Sequence, residues 1–116
     1  MESENLRDAQ KNLYKELHEN AVSKFIDYAK DKGSKSPETY HMNVNKMINL
    51  ELDINKGERD KLNNEELFQL TAAESLVATC LMTGMKQKKN YKEIFQFAKN
   101  QVSSLKKLFL SNENSI

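Results

Sequence analysis

Apolar residues recur every third or fourth position through four separate stretches of this chain, and nowhere do they alternate with polar ones. That period buries a stripe along a helix and cannot bury one face of a strand. The first stretch, about 4–32, carries Leu6, Ala9, Leu13, Leu17, Ala21, Phe25 and then Tyr28 or Ala29. Ser3 suits the start as a cap. Gly33 suits the end, because glycine takes the left-handed conformation of a helix-terminating residue at little cost. A helix of this length measures about 40 Å, whereas a compact domain of this size has a radius of gyration of about 13–14 Å. It therefore either breaks near His18-Glu19-Asn20 or projects its first turns toward another surface.

The second stretch, 37–50, opens on Ser36-Pro37, a cap followed by the residue best tolerated in a first turn. Tyr40, Val44, Met47 and Ile48 share its apolar face, with Glu51 at the margin. A charged connection without periodicity, Asp53 to Lys61, follows it. The third stretch, 64–86, has Asn63 as cap, Glu66 three residues on, and Leu62 and Leu67 as a hydrophobic staple. Its apolar arc is the broadest in the chain, running through Leu67, Leu70, Ala73, Leu76, Val77, Cys80, Leu81, Gly84 and Met85. This helix is expected to be the most buried, and Gly84 either admits a close neighbour or ends the helix. The fourth stretch, 91–109, repeats the Asn-to-Glu start at Asn90 and Glu93. Phe95, Val102 and Phe109 are spaced seven apart, as are Tyr91, Ala98 and Leu105, which suits packing along a partner helix at a shallow angle. Residues 111–116 read as a polar tail. The expected fold is all-α: one domain, a small four-helix bundle with a long N-terminal helix.

Length and composition narrow the function classes. At 116 residues the chain holds one domain. Eighteen Lys and Arg against seventeen Asp and Glu give a net charge of +1, which excludes a globally basic nucleic-acid coat. The total hides an asymmetry. From Glu51 to Glu74 seven acids face three bases, and from Met85 to Leu110 seven lysines face Glu93 alone. No apolar run approaches the length of a membrane span, and the polar start MESENLRDAQ is not a secretory signal, so no membrane is expected. The single Cys80 cannot form an internal disulfide and points to a reducing cytosol.

No catalytic constellation is written in the sequence, and no cofactor is expected. His18 and His41 lack local companions and read as surface or boundary histidines. Cys80 lies on an apolar arc, where a thiol behaves as a small hydrophobe. With only three Cys and His residues there is no set for structural zinc. The acidic connection lacks the ligand spacing of a calcium loop, and no glycine-rich phosphate loop is present. Glu74 sits at the edge of the third helix's arc, and Arg59 is its candidate structural ion-pair partner at a rim. Lys92, Lys99 and Lys106, seven apart, with Lys88 and Lys89 before them, form a stripe suited to a phosphate backbone or to an acidic partner. Only Arg7 and Arg59 supply guanidinium groups, so reading of base sequence is not expected. A deep polar cavity ringed by converging acids and histidines would argue against a chain that only binds.

From Glu38 onward, three passages carry a likeness: the Lys56-to-Leu62 turn KGERDKL, the Thr71-to-Leu76 helix TAAESL, and the Gly84-to-Ile94 junction GMKQKKNYKEI. Together they resemble the helical module of phage and prophage regulatory proteins, the antirepressor-like proteins of the Rha, BRO and KilA-N type. The resemblance covers roughly 38–110 and implies a phage or prophage accessory protein in a bacterial cytoplasm. In those proteins a DNA-binding domain precedes the module. Here a single helical segment does, so their DNA-binding role is not carried over. The expectation is a non-enzymatic protein acting by macromolecular binding, with itself or a host or phage protein as partner. Leu6, Leu13 and Leu17 are its self-association ridge, and a homodimer is the simplest way to bury the helical overhang. Non-specific nucleic-acid contact through the lysine stripe is the alternative, and inhibition of a host or defence protein through the acidic connection is a further one.

Overall fold

A computed structural model describes residues 2–55 and 57–114, with side chains described for 12–55 and 57–111. Every element among them is helical: α1 (Glu2–Asp31), a 3-10 turn (Pro37–Thr39), α2 (Tyr40–Leu52), a second 3-10 turn (Arg59–Lys61), α3 (Asn64–Lys86) and α4 (Tyr91–Asn114). The fold is the all-α four-helix arrangement that the periodicity implies.

The ends of the helices follow local chemistry. Asn63 and Glu66 form a reciprocal capping box: Glu66 N donates to Asn63 Oδ1 at 2.8 Å and Asn63 N to Glu66 Oε1 at 3.2 Å. Asn90 accepts instead from Lys92 N, at 2.8 Å. α1, α2 and α3 each finish on one left-handed residue, Gly33, Asp53 and Lys88. In each case the next amide reaches back five residues: Ser34 to Ala29 O, Ile54 to Asn49 O and Lys89 to Gly84 O. Only the glycine is evident from composition.

Three boundaries differ from the sequence expectation. Ser36 makes no side-chain cap. Thr39 instead donates both its hydroxyl and its amide to the Ser36 carbonyl, which tightens Pro37–Thr39 into a 3-10 turn and delays α2 to Tyr40. α2 then continues past the exposed Leu50 to Leu52, which is buried. α4 runs through the supposed tail to Asn114, there being no Gly or Pro to stop it. α1 does not break at His18-Glu19-Asn20, and its length of about 45 Å equals the 45 Å long dimension of the molecule.

Contacts between the helices define their order and direction. His18 meets Glu74 and Tyr28 meets Lys89, so α1 runs parallel to α3. Gly84 lies against Ile94, and Phe68 against Phe109, so α4 runs antiparallel to α3. Tyr40 packs on Tyr91 and Phe95 while Asp53 approaches Lys106, so α2 runs parallel to α4. Around the bundle the order is therefore α1, α3, α4, α2. The connection 53–63 crosses the bundle from α2 to α3, which is why it is long. Phe25, Val44, Ile48, Val77, Leu81, Ile94 and Val102 fill the centre. An aromatic group of Phe25, Tyr40, Tyr91 and Phe95 joins α1, α2 and α4 at one end.

α3 is flanked by α1 on one side and α4 on the other. Among the described residues it is the helix long and apolar enough to cross a membrane, with a mean hydropathy of 1.2 over its most apolar window. The core helix of a globular fold meets the same description, and eight of its residues, Leu67 to Gly84, are buried.

Two stability changes follow. A Cβ on Gly84 would lie 2.6 Å from Ile94 Cγ1 and 2.9 Å from its Cγ2, and Ile94 is buried at 2% exposure with no room to retreat. Gly84→Ala is expected to lose about 1–2 kcal/mol in urea denaturation despite its gain in helix propensity. Adding Ile94→Val should cost less than the two single losses combined. Lys88→Gly relieves a left-handed lysine and should raise stability by about 0.5–1 kcal/mol in the same measurement.

Candidate functional site

The acid at the edge of the α3 arc organises one side of the bundle. The Glu74 side chain is 6% exposed, so it is buried and not at a rim. A carboxylate there requires a counter-charge, and Arg59 Nη1 lies 3.9 Å from its Oε2. The guanidinium is aimed by α2: Arg59 Nε donates to Asn49 Oδ1 at 2.8 Å and Nη2 to the Asn45 carbonyl at 3.4 Å. From α1, His18 Nδ1–H donates to the Glu74 main-chain carbonyl at 3.2 Å. That bond places the ring proton on Nδ1 and the lone pair on Nε2. The network thus joins α1, α2, α3 and the crossing connection through four side chains.

His18 is the clearest correction to the sequence reading. It is buried at 3% exposure, not a surface residue. Its helix is pressed lengthwise against α3, and of the polar patch His18-Glu19-Asn20 only His18 turns inward, Glu19 and Asn20 being exposed. Burial pushes the imidazole below its usual 6.5, with the Arg59 charge adding to the effect and the bond to the Glu74 carbonyl opposing it. His41 is exposed, as read. Cys80 is buried, and burial raises its thiol, so the nucleophilic thiolate is disfavoured.

A cleft of about 410 Å³ opens over this network, with Lys15, Glu19, Ser23 and His41 around it and His18 and Glu74 in its wall. Two acids and two histidines do converge here, the arrangement that catalysis would need. Two of the four, His18 and Glu74, are already engaged, however. The proton on His18 Nδ1 goes to a main-chain carbonyl, the Glu74 carboxylate faces Arg59, and among the described residues no hydrogen bond joins His18 to a hydroxyl or thiol. No set of three His, Cys, Asp or Glu among the described residues is placed to hold a metal ion. The cleft's fixed charges also balance, Lys15 and Arg59 against Glu19 and Glu74, so it has no strong preference for an ion of either sign.

The lysine stripe divides on the surface. Lys92 is exposed and Lys99 half-buried. Lys106 Nζ lies 4.0 Å from Asp53 Oδ2. The basic end of the chain thus meets the acidic middle at the far end of α2, and the stripe is open at one end only. Lys88 and Lys89 are exposed in the turn between α3 and α4, where the Lys89 carbonyl accepts the Tyr28 hydroxyl.

The opposite side is different in kind. Two grooves of about 470 and 680 Å³ run along α3, one beside α1 and one beside α4. They share Tyr14, Ser75 and Thr79 and form one continuous face. Of the fifteen residues lining them, Lys24 alone is charged, on a chain that is 30% charged. Large apolar side chains stand out of this face or beside it: Leu17 is 53% exposed, Phe68 65% and Met82 43%, with Leu13 and Leu108 also exposed. Of the supposed ridge, Leu13 and Leu17 project outward, and Leu6 lies outside the described side chains. Sequence reasoning singled out neither Phe68 nor Met82. The available signal was that the face of α3 opposite its buried arc holds Phe, Ala, Ser, Thr and Met in place of charge.

Because folding holds His18 neutral below its usual 6.5, the unfolded chain binds more protons just under that pH. Stability is therefore complete above pH 6.5 and declines as pH falls from there toward the folded-state value. His18→Asn keeps an N–H for the Glu74 carbonyl and cannot titrate. Urea midpoints compared at neutral and mildly acid pH should fall in the parent and fall less in this variant. Comparison with known proteins finds no matching family model, no matching curated protein and no matching solved structure.

Proposed function

We propose that this chain is a non-enzymatic protein-binding module, an accessory or regulatory protein of the phage and prophage type, acting in the bacterial cytoplasm. It works through the face formed by α1, α3 and α4. The observation that carries this is the depletion of charge on that face together with the exposure of Leu17, Phe68 and Met82. Charge depletion combined with large apolar side chains characterises the centre of a protein interface. The likeness to antirepressor-associated helical modules adds support, since the TAAESL passage contributes Thr71, Ala72, Ser75 and Leu76 to the grooves. Its other two passages have structural work here. Arg59 of the turn anchors the crossing connection, and the junction holds the Gly84–Ile94 contact.

Binding of a phosphate backbone by the lysine stripe of α4 is the weaker reading, because Lys106 faces Asp53 and Lys99 is half-buried. A pull-down from bacterial lysate, with and without nuclease, separates the two. A protein-binding module retains a discrete protein after nuclease treatment and loses it when Phe68→Glu and Met82→Glu place charge on the face. A haul that vanishes with nuclease, and with reversal of charge at Lys92, Lys99 and Lys106, would transfer the role to the lysines.

A further inference from the structure

Seven of the nine α3 residues that line the grooves are matched in kind about Ser75, Leu76 and Thr83 being the exceptions. Phe68 lies seven residues before it and Met82 seven after, Thr71 and Thr79 four to either side, and Ala72 and Ala78 three to either side. All seven line the two grooves. Large exposed side chains thus mark both ends of the stripe, and small ones its middle. We propose that the occupant of this face is a second copy of the same chain, with α3 antiparallel to α3 of its partner and a two-fold axis passing beside Ser75. This rests on the face being a protein-binding surface and adds what it binds.

A two-fold contact needs a surface complementary to its own rotated image. An antiparallel pairing centred on Ser75 sets Phe68 of each copy against the partner's Met82, a favourable contact of thioether and ring. It sets threonine against threonine and alanine against alanine between them, small enough for the two helices to approach closely. Those positions are symmetric in any helical stripe; the matched residue types, Thr71 with Thr79 and Ala72 with Ala78, are what suit a two-fold contact.

The neighbouring helix obeys the same rule. His18 lies level with Glu74, so the axis beside Ser75 passes α1 near Glu19. About that point Leu17 stands opposite the partner's Ala21, a projecting side chain over a small buried one. Lys24 stands opposite the partner's Tyr14. The one charge of the face therefore meets an aromatic ring and not its own copy, which removes like-charge repulsion across the axis. Fifteen lining residues, with Leu13 and Leu108 exposed at the margins, approach the roughly 20–30 residues a side of a standard stable interface.

The full chain tests this by light scattering and cross-linking. The expected mass is twice 13.4 kDa at hundreds of micromolar, falling toward one chain on dilution. Phe68→Glu with Met82→Glu, checked by circular dichroism to be folded, should weaken self-association about thirtyfold or more. Ser75→Cys should cross-link to a dimer under mild oxidation, while Asn43→Cys, an exposed position on α2, which lines neither groove, should not. The buried Cys80 is common to both and stays silent. A single-chain mass at every concentration overturns the proposal. So does a dimer that survives the double variant, or one that cross-links equally at Asn43→Cys. If the chain is monomeric but the double variant still loses a protein retained from lysate, the face remains a protein-binding surface and the second copy is excluded as its occupant.

Discussion

A carboxylate sits inside this bundle, and the arrangement of the polar side follows from it. Glu74 lies on the inward edge of the central helix, where an unpaired charge is costly. Its partner, Arg59, comes from the crossing connection and not from α3 itself. Arg59 reaches it because Asn49 and the Asn45 carbonyl hold the guanidinium in place. His18 then closes the other side by donating to the carbonyl of the same residue. Such a network contributes modest net stability compared with well-packed apolar groups, since desolvation offsets most of the attraction. Sliding α1 by one turn along α3, or rerouting the connection, would leave a buried charge or imidazole without its partner.

The spatial order of the helices has a functional consequence. If successive helices were neighbours, α3 would stand between α2 and α4. It stands instead between α1 and α4, with α1 parallel to it. The inward half of α3 lies over the core, and its outward half, with a groove on either side, becomes the middle of a face shared with two other helices. The same crossing therefore produces both sides of the molecule: a polar side where the connection returns over Glu74, and a side with Lys24 as its one charge where α3 is left uncovered. That this second side is built from small residues between Phe68 and Met82 permits close approach by another helix.

The surface charge is organised by the same topology. The acidic middle and the basic end of the sequence are brought into register because α2 and α4 run parallel, and Asp53 comes within reach of Lys106 at their shared end. An exposed pair of this kind adds little stability. It does turn one end of the lysine stripe inward and leaves the cationic density concentrated near Lys88, Lys89 and Lys92, at the turn between α3 and α4.

The four helices, the capping box at Asn63, the left-handed turn at Gly33 and the broad buried arc of α3 were legible in the residues alone. Each depends on groups within a few positions of one another: a side chain reaching its own helix's first amides, a glycine with no Cβ, apolar residues returning once per turn. The left-handed Asp53 and Lys88 were not legible, because those residue types do not advertise the conformation that the neighbouring packing imposes. The burial of His18, which reads as a surface or boundary residue, and of Glu74, which reads as a rim residue, is not legible for a related reason. The burial of each is set by a helix more than fifty residues away in the chain. Local hydrogen bonding and periodicity determine where helices begin, end and turn greasy. Which surfaces then meet, and which remain open, depends on the mutual fit of distant side chains, and no single stretch of sequence contains that information.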